Sequence, residues 1–134
     1  MSVDQDHLLE LPVLAVLLTY RQDGTAVSSP VWFRATEATL EVVIAEGDVK
    51  LRHLRRDPRC SLLVFENRAP FRGARFEGRG ELAVDRGDVT RLSIATRYLG
   101  PDKGAQFCRD RPAGVVLSLP RAGGREWDLR AILP

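Results

Sequence analysis

The stretch Val42–Leu62, VVIAEGDVKLRHLRRDPRCSL, decides the reading of the fold. An apolar, β-branched run leads into Gly47, a strongly basic segment follows over Asp48–Asp57, and Pro58 stops it before a second apolar run from Cys60. That order predicts strand, tight turn, short helix and strand, and the helix is too short to be the crossover of a large parallel sheet. Within it Lys50, Arg52, His53, Arg55 and Arg56 surround only two large apolar residues, Leu51 and Leu54. A helix that only covered a core would carry its cations near its C-terminus, where the macrodipole favours them. Lys50 instead falls in the first turn, beside the amides that attract anions. Two readings stand. One is a phosphate held by Lys50 with His53 one turn further along; the other is a solvated basic face, which suits Arg52, Arg55 and Arg56 equally.

Upstream, Leu8, Leu9 and Leu11 predict a helical lead-in over residues 1–11 that stops near Pro12. Val13–Tyr20 and Ala26–Arg34 flank Gln22-Asp23-Gly24-Thr25 and read as a hairpin. Further strands are expected at Leu40–Glu46, Cys60–Glu66, Arg75–Val84, Gly114–Leu119 and Trp127–Leu133, with Asn67–Gly73 a loop. Gly78 and Gly80 mark a bulge, a barrel corner or a close backbone approach. Asp88–Leu99 has helical spacing, and Pro101 opens a second helix ending near Pro112. About seven strands with turn signals and helices at two points predict a single, mainly β domain over residues 1–134, an antiparallel barrel rather than a doubly wound sheet.

Composition narrows the function. At 134 residues the chain can bury roughly two thirds of its unfolded surface. A net charge of +2 draws it to neither nucleic acid nor membrane. Cys60 and Cys108 stand far apart, and two histidines with no ligand spacing give no metal cluster. The N-terminus MSVDQDHLLE is acidic where a secretory signal is basic, and the apolar run Leu11–Leu18 is too short to span a bilayer. A soluble cytoplasmic protein is expected.

In AVSSPVWFR, period-two alternation puts Val27, Ser29, Val31 and Phe33 on the core face and Ser28, Pro30 and Trp32 on the other. An outward Trp32 fits a dimer interface, a planar ligand or a lone surface tryptophan. Pro30 belongs at a sheet edge, where backbone groups are free for a ligand. Gly78-Arg79-Gly80 is no dinucleotide fingerprint, Ser28 and Ser29 lack a nucleophile elbow, and Cys60 reads as a small core residue. No protein nucleophile is named.

Several segments together resemble the split β-barrel superfamily of pyridoxamine 5'-phosphate oxidase-like proteins, in the branch that uses the deazaflavin coenzyme F420. They are Asp23-Gly24, Ser29-Pro30-Val31-Trp32-Phe33, the run Lys50–Arg59, Arg97-Tyr98-Leu99-Gly100 and Trp127-Asp128, and they span Leu8 to Leu133. The resemblance implies a homodimer of six-stranded Greek-key barrels with two cofactor sites at the interface. It places the flavin-type ring near Ser28, Ser29, Pro30, Val31 and Trp32. The ribityl-phosphate would lie near Ile44, Ala45 and Glu46, with the phosphate on Lys50 and within reach of His53. Phe71 of the other subunit would cover the ring. Two positions depart from the pattern: Asp48 stands where a basic residue is frequent, and His53 where Asn is common. Arg68, Arg72 and Arg75 are candidates to replace the missing charge.

The implied activity is hydride transfer from reduced coenzyme F420 to a small organic acceptor, the cofactor supplying the redox chemistry. The alternatives are an FMN-dependent oxidase or reductase on the same scaffold, and a non-catalytic carrier of flavin, deazaflavin or haem. Haem needs an axial ligand, and only His7 and His53 are available.

Overall fold

A computed structural model describes residues 3–134. The expected lead-in is helix α1 (Val3–Glu10), and the first two residues of that expectation lie outside the described part. Leu8 and Leu9 sink into the core at 1% exposure each. A hairpin of β1 (Ala15–Tyr20) and β2 (Ala26–Val31) follows, in register from Ala15–Val31 to Tyr20–Ala26. Its turn is closed by the Asp23 carboxylate, which accepts from Thr25 N at 3.0 Å and Thr25 Oγ1 at 2.7 Å, while Gly24 takes φ 88°.

Two of the expected strands divide, and each division carries the chain from one sheet to the other. The first continues past Trp32 and Phe33 into β3 (Arg34–Ala35), which pairs with β4 (Thr39–Ile44). Phe33, wholly buried at this crossing, pins the bend with about 1.5–3 kcal/mol of burial. The second divides at Gly80 into β6 (Gly73–Arg79) and β7 (Glu81–Ala83). A Cβ on Gly80 would lie 2.3 Å from Leu117 Cδ1, so the corner demands glycine for close approach. Helix α2 (Val49–Arg56) precedes β5 (Arg59–Phe65), as the basic segment predicts. Helices α3 (Gly87–Leu99) and α4 (Pro101–Cys108) form a hairpin inserted before β8 (Val115–Pro120).

The expected C-terminal strand Trp127–Leu133 is not formed. The chain makes β9 (Arg125–Trp127) and then a 3-10 turn over Arg130–Ile132. Asp128 causes the change: its Oδ1 accepts from Arg130 N at 2.9 Å and curls the backbone, while Leu129 N bonds Pro70 O at 2.9 Å.

Among the described residues nine strands form two antiparallel sheets, β2-β1-β5-β6-β9 and β3-β4-β8-β7. The hydrogen bonds therefore run in two sheets rather than one closed ring, a split barrel. Leu17, Leu62 and Phe76 from the first sheet meet Leu40, Leu117 and Leu119 from the second in one core. Cys60 is part of it, its thiol pushed up to about 11 by burial, as befits a packing residue. Among the described residues no helix is long and apolar enough to cross a membrane.

Candidate cofactor cleft

Strand β2 is a sheet edge, and Pro30 sits on it as the missing N–H requires. Past its end the Trp32 indole stacks on Tyr98 of α3, with centroids 4.9 Å apart and planes within 9°. On another side it meets Phe107 of α4 at 5.2 Å, tilted 45°. The outward tryptophan is thus half-covered by the helical hairpin. Tyr98 is itself anchored, donating to Val13 O at 2.6 Å and accepting from Phe33 N at 3.3 Å. Burial pushes its phenol up, so it stays a neutral donor. Arg97 beside it binds the last carbonyls of α1, reaching Leu11 O at 2.8 Å and Glu10 O at 3.1 Å. The Arg97-Tyr98 pair therefore fastens the wall of the site.

Between this wall and the end of β4 lies a cleft of about 270 Å³. Pro30, Val31 and Trp32 line one side, and Val43, Ile44 and Ala45 another. The first turn of α2 contributes Asp48 and Lys50, and the hairpin contributes Arg91, Ile94, Phe107 and Arg111. A more open apolar lobe continues over Leu14, Pro30, Val31, Trp32 and Phe107.

Asp48 is the N-cap of α2. Its Oδ1 accepts from Lys50 N at 3.0 Å and its Oδ2 from Lys50 Nζ at 2.8 Å. Burial opposes its ionisation, but these bonds prevail and hold the carboxyl below the usual carboxylate range. The cleft thus brings three cations, Lys50, Arg91 and Arg111, against one carboxylate.

Of the residues expected from the sequence, Pro30, Val31, Trp32, Ile44, Ala45 and Lys50 line the cleft. Ser28, Ser29, Glu46, His53 and Phe71 do not. Ser28 and Ser29 lie one step back along β2, exposed and half-buried respectively. Glu46 is tied to Arg55 at 3.0 Å. His53 is 6% exposed and turned under β1, with Nδ1 3.0 Å from Thr19 Oγ1. It shares the inward side of α2 with Lys50, but one turn further on that side meets the sheet rather than the cleft. Burial, with the charges of Arg56, Arg21 and Arg52, keeps its imidazole below the ordinary histidine value. Phe71 stands in a separate apolar hollow of about 520 Å³ with Val13, Leu14 and Phe65. Arg72 is committed to Glu66, bonding it through Nε at 2.7 Å, and Arg68 and Arg75 are exposed away from the cleft. The charge comes instead from Arg91 and Arg111. Neither belongs to a motif: Arg91 lies within α3 and Arg111 just past the end of α4, and nothing in the local sequence sets them apart from the neighbouring arginines.

Residues 4–123 match the family profile for pyridoxamine 5'-phosphate oxidase. The chain belongs to that family. No curated protein matches it. Among solved structures, a conserved hypothetical protein of Mycobacterium tuberculosis is 24% identical and superposes with a TM-score of 0.81 over 100% of this chain and 89% of its own. An F420 reductase is 25% identical, with a TM-score of 0.73 over 87% of this chain and 93% of its own. The haem storage protein HutZ of Vibrio cholerae shares the fold at 12% identity, with a TM-score of 0.68 and 91% of each chain covered. In this member of the pyridoxamine 5'-phosphate oxidase family, the donor set of the cleft suits a planar ring carrying an anionic arm: aromatic and proline surface at one side, cations at the other.

Proposed function

We propose that this protein is an oxidoreductase that holds coenzyme F420 in the cleft and serves hydride transfer to a small organic acceptor. The observation that carries the reading is one pocket with a tryptophan–proline wall and an excess of cations. The 25% identical F420 reductase supports the choice of cofactor. When bound, the deazaflavin supplies the hydride. The chain's own part is to bind and to exclude water. Pro30, Val31 and Trp32 offer the apolar surface for the ring, and the side of the cleft that carries Lys50, Arg91 and Arg111 is positive enough to receive the phosphate. The apolar lobe beside Leu14 and Phe107 leaves room for the acceptor without a charged partner for it. We also propose that the working unit is a homodimer, with Phe71 completing the ring site of its partner. Leu14 supports this, because it lines both the apolar lobe and the hollow that holds Phe71.

FMN is the second reading, and Asp48 favours it. A carboxylate at the mouth opposes a long polyanionic tail more than a single phosphate. Neither His7 nor His53 lines the cleft, which gives haem no axial ligand there. Side-by-side equilibrium titration with coenzyme F420 and FMN, followed by fluorescence, tests the proposal. Micromolar or tighter binding of coenzyme F420 alone is expected; preference for FMN moves the assignment to the flavin enzymes, and binding of neither removes it.

A further inference from the structure

We infer that Arg91 and Arg111, rather than Lys50, form the anion-binding centre of the cleft, and that together they take a phosphate-type group. The inference rests on the cofactor reading of this cleft and says which residues hold the ligand's charged arm.

Lys50 is the residue that the sequence singles out, yet its charge is already answered. Its ammonium lies 2.8 Å from Asp48 Oδ2, and both side chains are largely enclosed, at 18% and 28% exposure. An arriving anion must compete with a carboxylate two residues away whose other oxygen is locked as a helix cap. Arg91 and Arg111 are held differently. Arg91 Nη1 donates to Pro112 O, and Arg111 Nε donates to Phe107 O at 2.6 Å. Arg111 also lies over the Phe107 ring, 4.1 Å from its centroid. Among the described residues neither guanidinium is within ion-pair distance of a carboxylate. A tether to a neutral carbonyl fixes a guanidinium's direction without cancelling its charge, and leaves further N–H donors for a ligand.

Gly114 supplies independent support. Its φ lies outside the left-handed region, so conformation alone does not call for glycine. Space does: a Cβ there would lie 2.6 Å from Arg91 Nη2, 2.6 Å from Val43 Cγ1 and 2.8 Å from Ile44 O. The missing side chain makes the seat in which the Arg91 guanidinium rests against the floor of the cleft. Two forked cations, one seated and one stacked, suit bidentate recognition of a phosphate better than a single neutralised lysine does.

Calorimetric titration of the full chain with inorganic pyrophosphate, and with FMN and riboflavin, tests the assignment. Wild type, Arg91→Gln, Arg111→Gln and Lys50→Gln are compared; Arg111 is exposed, so its variant keeps the fold. We expect each arginine change to weaken pyrophosphate at least tenfold, and Lys50→Gln less than threefold. FMN and riboflavin differ by the phosphate alone, so the preference for FMN should collapse in Arg111→Gln and persist in Lys50→Gln. Absence of pyrophosphate binding to wild type overturns the inference, as does loss in Lys50→Gln with retention in both arginine variants. Arginine-dependent pyrophosphate binding without any flavin or coenzyme F420 binding would sink the cofactor reading and leave the anion centre standing. Flavin binding that depends on Lys50 alone does the reverse.

Discussion

Asp48 caps α2 through one oxygen while the other neutralises Lys50 at the mouth of the cleft, so one side chain serves folding and opposes ligand binding. The two roles are separable by chemistry. Asparagine is as good an N-cap as aspartate, so Asp48→Asn keeps the helix start and removes the charge. Removing a partly screened carboxylate from an anion site is worth about 1 kcal/mol, or roughly fivefold in affinity. Asp48→Asn is therefore expected to tighten pyrophosphate binding about fivefold with an unchanged melting temperature. The gain should need Lys50: adding Lys50→Gln to Asp48→Asn should cost far more than Lys50→Gln costs alone, the non-additivity of residues in contact. A weaker or unchanged affinity in Asp48→Asn refutes this account of the cap.

At the level of elements, Glu41 joins the parts that frame the cleft. Its carboxylate, 3% exposed, accepts from Arg34 Nε at 2.7 Å and Arg86 Nη1 at 2.5 Å, tying β4 to β3 and to the start of α3. Burial alone would raise its pKa, but the bonds from Arg86 and Arg34 prevail and lower it below the ordinary glutamate value. A lowered folded-state value means stability that is complete above the unfolded pKa and is lost as pH falls through the folded one. Glu41→Gln should cost about 2 kcal/mol near neutral pH, roughly 6 °C of melting temperature, and flatten the loss of stability below pH 4.5. Thermal melts across pH check this; a variant with the wild-type acid limb would assign that limb to other carboxylates. Such cross-element ties also explain what the sequence could and could not show. Hairpin, α2 and core strands were legible because Gly24, Pro58 and the β-branched runs act within a few residues. The division at Phe33 was not, because it depends on a distant partner, Tyr98; Gly80 was legible as an interruption, but which kind it made depended on Leu117. For the same reason neither the burial of His53 against Thr19 nor the approach of Arg91 and Arg111 to Lys50 was legible, since both depend on contacts across the fold, and the sequence singled out neither arginine.

For the whole molecule, the decisive matter is whether one chain completes the site. The apolar lobe of the cleft opens past Leu14 towards the hollow that holds Phe65 and Phe71. These three side chains stand 53%, 39% and 39% exposed, a contiguous apolar surface beside a binding site. The proposed second copy of the chain would cover the hollow and close the lobe at once. Phe65 lines the hollow and not the cleft, so changing it tests assembly without touching the ligand. Wild-type protein is expected to sediment as a dimer. Phe65→Asp buries a charge only in the assembled state, where an unpaired carboxylate costs several kcal/mol, enough to shift micromolar protein to monomer. If the partner covers the ring, that monomer should bind FMN or coenzyme F420 at least tenfold more weakly while keeping its pyrophosphate affinity, which depends on Arg91 and Arg111 of the same chain. A Phe65→Asp monomer that binds the flavin as tightly as the dimer would show the cleft to be complete within one subunit and remove any role for Phe71 in the partner's site.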